Sequence, residues 1–302
     1  MKYNLITVLG PTAAGKTRLA ALLASEFNGE IISADSRQVY KRMDLGTGKD
    51  YGDYIVNSKP VSFHLIDIAE PDEEFNLFLF RDKFFEAFNL INSSHRIPFL
   101  TGGTGLYLNS ILKNYQLTKA APSRERISEL NLLSEEELRE IIIKLNPSMH
   151  NKTDLELKDR IIKAILIAES RDVISIKENI SSLNIGVFYF RDVIKKRITD
   201  RLKQRLKNGM IEEVENLIKE GITYEKLNFF GLEYRYIGLY LKGDLNYNDM
   251  QQKLNSAIHN FAKRQMTWYR KMEKEGTVIN WIDGQDLERA KKIISSQFFT
   301  EE

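Results

Sequence analysis

Near the start of the chain, Gly10-Pro11-Thr12-Ala13-Ala14-Gly15-Lys16-Thr17 has the spacing G-x-x-x-x-G-K-[ST]. Glycines at those positions let a backbone curl until successive N–H groups point inward. Lys16 adds a mobile cation and Thr17 offers a hydroxyl to Mg²⁺. Such a loop holds a diphosphate or a longer polyphosphate, and the spacing alone does not say which. A second candidate is Asp35, which closes the run Glu30-Ile31-Ile32-Ser33-Ala34-Asp35-Ser36. A carboxylate at a strand end beside a phosphate loop can act as a general base or reach the outer shell of Mg²⁺. It also suits the N-cap of a short helix over Arg37–Lys41, and both readings stand. Thr101-Gly102-Gly103-Thr104-Gly105 is a further loop in which backbone can approach a ligand closely, or an ordinary strand–helix turn.

Two basic stretches have the composition of a nucleic-acid contact or of a solvated helix face. Between Arg191 and Lys207 there are eight basic residues against two acidic ones, a net of +6. Within them Arg197, Arg201 and Arg205 recur every four residues and form one helical stripe. Lys263-Arg264-Gln265 lies among Phe261, Trp268 and Tyr269. His64 sits in a strand pattern and reads as a structural histidine. His95, His150 and His259 show no metal-ligand spacing.

These groups need elements to position them. Strand patterns fall at Leu5–Leu9, Glu30–Ala34, Ser62–Ile66 and Ile97–Thr101. Helical patterns fall at Thr17–Phe27, Arg37–Lys41, Leu77–Asn92 and Gly105–Lys113. Alternation of this kind predicts an α/β fold, a P-loop-type parallel sheet flanked by helices. Ligands then bind at the carboxyl ends of the strands, where the loops named above converge. From 114 to 183 strand signals nearly vanish. Ser134-Glu135-Glu136-Glu137 and Thr153-Asp154-Leu155-Glu156 are capping boxes, the second opening a helix that runs through Glu169. This stretch reads as an all-helical insertion in a core made of 1–113 and 184–302. Asn184–Phe190 returns to the sheet. Helices are expected over Asp192–Asn208, Ile211–Glu220, Leu232–Leu241 and Asp249 to about Lys274, and a last strand over Thr277–Asp283.

Composition narrows the classes. The chain has 302 residues, 42% of them hydrophobic, enough for a sizeable core. It has no cysteine, which excludes disulfide scaffolds and cysteine-based zinc sites and suits a reducing cytosol. No signal peptide fits before the first strand, and no apolar run reaches membrane-spanning length. The net charge of +2 neither demands nor forbids a nucleic-acid partner.

Taken together, the motifs resemble the tRNA dimethylallyltransferase (isopentenyltransferase) family. The stretches that carry the likeness are 10–17, Ile32-Ser33-Ala34-Asp35-Ser36-Arg37-Gln38-Val39-Tyr40, Met43-Asp44-Leu45-Gly46-Thr47-Gly48-Lys49, His64-Leu65-Ile66-Asp67-Ile68, Pro98 to Tyr107, and Ala262-Lys263-Arg264-Gln265-Met266-Thr267-Trp268. The resemblance implies transfer of a dimethylallyl group from dimethylallyl diphosphate to N6 of adenine 37, beside the anticodon of tRNAs reading codons that begin with U. The loop would hold the donor's diphosphate rather than ATP. Carried over by position, Asp35 is the general base, and Lys16 and Thr17 serve the diphosphate and its Mg²⁺. Asp35, Ser36, Arg37, Gln38 and Thr104 lie against the tRNA. In the insertion, Arg124 and the segment Asp159, Arg160, Ile161, Ile162 and Lys163 grip the anticodon stem. Lys263, Arg264 and Gln265 are further tRNA contacts. A cytoplasmic monomer is implied. The pattern departs at Phe230, which stands where the family has a diphosphate-facing arginine, and at Glu233, which replaces a glycine. Leaving-group stabilisation then falls first to Arg235, and next to the stripe with Arg197 and Arg201. Two other enzymes share the opening motif, an adenylate isopentenyltransferase and a P-loop small-molecule kinase. A P-loop fold retained only to bind RNA is a non-enzymatic alternative.

Overall fold

The computed structural model describes residues 2–115, 117–118, 124–145, 158–169, 173–174 and 179–299. Along the chain run β1 (Leu5–Leu9), α1 (Lys16–Glu26), β2 (Gly29–Ser33), a small hairpin of β3 (Ile55–Val56) and β4 (Lys59–Pro60), and β5 (Phe63–His64). Then come α2 (Leu77–Ser93), β6 (Ile97–Gly102), α3 (Gly105–Leu112), β7 (Leu117–Thr118), α4 (Arg124–Leu132), α5 (Glu135–Leu145), α6 (Lys158–Glu169) and β8 (Val173–Ile174). The last stretch holds β9 (Ser182–Phe188), α7 (Arg191–Lys207), α8 (Met210–Lys219), α9 (Tyr224–Phe229), α10 (Leu232–Leu241), α11 (Tyr247–Lys274), β10 (Asn280–Asp283) and α12 (Leu287–Gln297). Two compact units result. One is Met1–Asn114 with Ile180–Glu302, and the other is Tyr115–Asn179.

The larger unit is built on a parallel six-stranded sheet in the order β10-β9-β1-β6-β2-β5. β1 lies near its centre, with Ile6 beside Phe99 on one side and Leu183 on the other. Every residue of β1 is buried. That is why Leu-Ile-Thr-Val-Leu is apolar almost throughout instead of alternating: helices cover both faces. The one polar side chain, Thr7, is satisfied by Ser182 Oγ at 2.7 Å. α2 brings Phe80, Phe84, Phe85, Phe88 and Ile91 to the core at helical spacing, and its N-cap Asn76 accepts Leu79 N–H at 3.0 Å. α11 buries Met250, Leu254, Ile258, Ala262, Gln265, Tyr269 and Met272, a stripe of three- and four-residue steps. Gln265 is the polar member of that apolar stripe, which marks it for a specific role.

Three expectations are corrected. Arg37–Lys41 is not a helix. Asp35 Oδ1 accepts Arg37 N–H at 2.9 Å, a side-chain turn that competes with helical bonding, and Tyr40 then bridges to Ala69 as an isolated parallel pair. The strand expected over Ser62–Ile66 shrinks to Phe63–His64, because Leu65 and Asp67 both turn through positive φ, at 64° and 55°. The smaller unit is not all-helical: β7 and β8 pair antiparallel. Its core is Leu130, Leu138, Ile142, Ile161, Ile162 and Ile165. The box opening α5 is formed, with Ser134 N–H donating to Glu137 Oε2 at 2.8 Å and Glu137 N–H returning to Ser134 Oγ at 3.3 Å. The box at Thr153–Glu156 lies outside the described residues.

Candidate active site

The loop between β1 and α1 borders a cavity of about 300 Å³. Thr12, Ala13, Gly15, Lys16 and Thr17 line it. Gly10, Pro11 and Ala14 of the same loop are not among the cavity's lining residues. Ala13 and Gly15 both turn left-handed, at φ 60° and 78°, and curl the backbone around the cavity. The loop runs directly into α1, whose first N–H groups have no partner within the helix. Lys16 Nζ donates to Pro11 O at 2.8 Å. Burial, with Arg201 as a second cation nearby, pulls the Lys16 ammonium down to about 8, against a smaller opposing pull from Asp35.

The carboxy-terminal half of the chain holds this loop from outside. The Tyr269 hydroxyl donates to Gly10 O at 2.9 Å, Arg197 Nε to Ala13 O at 2.8 Å, and Gln285 Nε2 to Gly15 O at 2.7 Å. Gln265 accepts Thr12 N–H at 2.7 Å and donates to Gly103 O at 2.8 Å. None of these partners is near the loop in sequence. The arginine stripe of α7, for which two readings stood open, faces inward. Arg197 and Arg201 line the cavity, and Arg205 is buried. A Cβ on Gly48 would come within 2.2 Å of a guanidinium nitrogen of both Arg201 and Arg205, and its backbone is left-handed at φ 77°, so glycine suits the position beside them. Burial lowers Arg201 to about 10, with the neighbouring Arg205 next in weight. These cations have been placed where hydration no longer stabilises them, which is what an anion-binding wall requires.

A second cavity of about 530 Å³ adjoins the first and has a different lining. Phe229, Phe230, Leu232, Ile258, Phe261 and Trp268 supply apolar and aromatic surface. Ser36, Arg37, Thr104, Arg235 and Arg264 supply polar groups. The Arg37 guanidinium lies 4.5 Å over the Phe229 ring. Ser36 N–H donates to Thr104 Oγ1 at 3.3 Å, which fixes the end of the β2 loop against the Gly102-Gly103 loop. Among the described residues, Asp35 is the only acidic side chain that lines both cavities. Its Oδ1 is held by the Arg37 N–H, so the carboxylate has a set direction. Glu233 also lines the second cavity; burial raises its carboxyl despite nearby Arg205 and Arg201.

Several expected site residues have surroundings other than those expected of them. Gln38 is buried and acts as a bracket: it accepts Ser33 Oγ at 3.1 Å and donates to Gly48 O at 3.0 Å, so it holds the Thr47-Gly48 loop in place and has little surface for RNA. Gln265 is 6% exposed and clamps two loops, whereas Lys263 and Arg264 beside it are exposed. Consecutive helix residues point in different directions, so a three-residue motif cannot share one role. Ile161 and Ile162 sit in the core of the smaller unit, where apolar burial accounts for them and contact with RNA does not. Arg124, Asp159, Arg160 and Lys163 fall on α4 and α6. Arg235 is exposed, beside Tyr236, and lines only the second cavity. Phe230 is 1% exposed and packs edge-on against Tyr40 at 5.0 Å. Arg197 and Arg201, not Arg235, therefore stand at the phosphate loop. His64 is structural, paired with Glu30 at 2.6 Å.

Residues that sequence reasoning did not single out complete the site. Asp50 and Asp53 line the first cavity. Glu213 accepts the N–H groups of Asp44, Leu45 and Gly46 at 2.8, 2.7 and 3.0 Å and the Tyr234 hydroxyl at 2.7 Å, which anchors the loop carrying Thr47 and Gly48. The Met43–Lys49 stretch was the available signal: its glycines and charged ends mark a loop that must be tied down. As for a metal, no three acidic or histidine side chains among the described residues are grouped to hold one unaided. Thr17 lines the first cavity together with Asp35 and Asp53. That donor set fits Mg²⁺ arriving on phosphate oxygens, which needs only one or two protein oxygens.

Comparison with known proteins accords with this geometry. The IPP transferase family model matches residues 38–272. A tRNA dimethylallyltransferase 1 of Geotalea uraniireducens is 49% identical over 299 residues, covering 97% of this chain and 98% of the relative. One of Azobacteroides pseudotrichonymphae is 46% identical and covers 99% of both chains. The solved full-length tRNA isopentenylpyrophosphate transferase of Bacillus halodurans superposes with a TM-score of 0.69 at 31% identity, over 98% of this chain and 95% of that one. A eukaryotic dimethylallyltransferase acting on tRNA shares the fold at a TM-score of 0.80 and 21% identity, over 98% of this chain and 79% of that one. With the family model spanning most of the residues that build both cavities, the chain belongs to the IPP transferase family.

Proposed function

We propose that the protein transfers a dimethylallyl group from dimethylallyl diphosphate to N6 of adenine 37, adjacent to the anticodon, in tRNAs reading codons that begin with U, and releases diphosphate. The observation that carries this reading is the position of Asp35 between a cation-walled phosphate loop and an aromatic cavity. An exocyclic adenine amine is a poor nucleophile because its lone pair is delocalised into the ring. As its nitrogen bonds to the allylic carbon, the Asp35 carboxylate takes one N6 proton, worth roughly 10²- to 10⁴-fold in rate. The C–O bond to the diphosphate breaks in the same displacement, and charge gathers on the leaving oxygen. Lys16, Arg197 and Arg201, which line the phosphate cavity, would stabilise that charge. Mg²⁺ held by Thr17 and the phosphates would add Lewis-acid stabilisation to the same oxygens.

The aromatic cavity takes the base and the prenyl chain. Reaching it requires the base to leave its stack, at a cost of a few kcal/mol that is smallest in an unpaired loop. Phosphate contacts from Arg37, Lys263 and Arg264 offset that cost, and the smaller unit, whose sequence carries the basic residues Arg124, Arg160 and Lys163, grips the anticodon stem. The reading includes a cytoplasmic monomer. Among the described residues no helix is long and apolar enough to cross a membrane.

Purified protein with Mg²⁺, labelled dimethylallyl diphosphate and a panel of tRNAs tests this. Nucleoside mass spectrometry should find the label on adenine 37 of tRNAs that read U-initial codons. Label on free AMP with none on tRNA would instead identify an adenylate isopentenyltransferase. ATP turnover without prenyl transfer would identify a kinase.

A further inference from the structure

A G-x-x-x-x-G-K-T loop is chemically able to hold two phosphates or three. In this chain the first half of the loop is already engaged. Gln265 uses Oε1 for Thr12 N–H and Nε2 for Gly103 O, so both ends of its amide are occupied and the side chain forms a strut between two loops. The strut is buried and borders the phosphate cavity. It passes so close to the second loop that a Cβ on Gly103 would lie 2.4 Å from Nε2. Of the other donors in that half, Pro11 has no N–H and Ala14 N–H is spent on Pro11 O at 3.3 Å, while Tyr269 and Arg197 brace the Gly10 and Ala13 carbonyls. The donors best placed for a ligand are then in the second half, Gly15 to Thr17, where the helix N-terminus and Lys16 lie.

We propose that Gln265 sets the number of phosphates: it withdraws Thr12 N–H from the ligand and walls the cavity there, so that the loop takes a diphosphate and refuses a third phosphate. The proposal rests on dimethylallyl diphosphate being the donor. Charge alone predicts the opposite preference. Lys16, Arg197 and Arg201 would attract the more highly charged triphosphate more strongly. Selectivity for a diphosphate must therefore come from shape and from a donor that has been taken away.

The test uses titration calorimetry on the full chain with Mg²⁺, comparing inorganic pyrophosphate with inorganic tripolyphosphate. The wild type should bind pyrophosphate at least about 10-fold more tightly, the scale of one charge-assisted hydrogen bond. Gln265→Ala removes the wall and frees Thr12 N–H, and should narrow that ratio about 10-fold or invert it. Gln265→Met keeps the volume but loses both hydrogen bonds, and should narrow the ratio less. If the alanine variant does not fold, the wild-type ratio and the methionine variant decide. Tripolyphosphate bound as tightly as pyrophosphate by the wild type, no binding of pyrophosphate, or an unchanged ratio in the folded variants would overturn the proposal. The tRNA transfer assay is run on the same wild-type sample. Loss of transfer with selectivity retained counts against the donor reading alone, and transfer without selectivity counts against the strut alone.

Discussion

The two adjoining cavities are built in opposite ways. The phosphate cavity has as its floor one contiguous loop, Gly10–Thr17, and borrows its walls from distant residues such as Arg197, Arg201 and Gln265. The aromatic cavity draws on the run Asn228–Glu233 but has no sequence motif as its floor. It is assembled from the ends of the β2 and β6 loops, the turn before α10, and α7 and α11. The first is mostly polar, whereas the second sets aromatic and aliphatic surface among arginines, and Arg201 lines both. Asp35 stands where they meet. The contrast matches the tasks proposed for the two cavities. A diphosphate presents the same oxygens whatever it carries, so a short backbone motif can hold it. A flipped base and a prenyl chain need shaped surface, and shape comes from tertiary packing.

If that division is right, substitutions should separate the two halves. The largest effect is expected at their junction. Asp35→Asn keeps the turn's size but loses the base, and single-turnover transfer to tRNA should fall roughly 10²- to 10⁴-fold. A loss under threefold would remove Asp35 from the proton transfer. Next comes pH on the phosphate side. With Lys16 at about 8 in the folded protein, its ammonium is present below that pH and lost above it. Pyrophosphate affinity should therefore fall as pH rises through about 8, by up to about tenfold per unit beyond it, and Lys16→Arg should remove that step. The sign for stability is opposite. Between about 8 and the unfolded value of 10.5 the unfolded chain binds more protons, so raising pH through that window stabilises the fold as far as this group is concerned. The smallest effect is expected at the rim: Lys263→Ala should weaken tRNA binding a few-fold and lower the salt slope by about 1, with the rate at saturating tRNA little changed. Filter binding across a salt series would show this, and an unchanged slope would place Lys263 off the RNA path.

How much of this was legible in the sequence follows from the same contrast. The β1 strand, the loop and α1 are written in neighbouring residues, and the helical period of α7 put Arg197, Arg201 and Arg205 on one stripe. Which way that stripe faces was not legible, because orientation depends on what α7 packs against. The same limit separated Gln265 from Lys263 and Arg264: adjacency in sequence suggested a shared RNA contact, while the helix turns one inward and two outward. Ile161 and Ile162 were read as contacts by position in a motif, although their apolar side chains and helical phase already pointed to a core. Arg37–Lys41 failed as a helix because the side chain of Asp35 bonds its own backbone two residues on, a local competition that propensity does not register. Glu213 left no short-range signal at all, since its four partners lie on a loop and a helix remote from it in sequence.

The central claim is that one cavity holds the leaving group, the other holds the acceptor, and Asp35 acts between them. Pyrophosphate binding and single-turnover transfer, measured side by side in Asp35→Asn and Arg201→Ala, test it most directly. A crossed result is expected. Asp35→Asn binds pyrophosphate as well as the wild type or more tightly, having lost a negative charge near Lys16, yet transfers at least about 10²-fold more slowly. Arg201→Ala loses about tenfold or more in pyrophosphate affinity. If Asp35→Asn instead lost pyrophosphate binding in step with transfer, or Arg201→Ala bound pyrophosphate normally, the division of labour between the two cavities would be wrong.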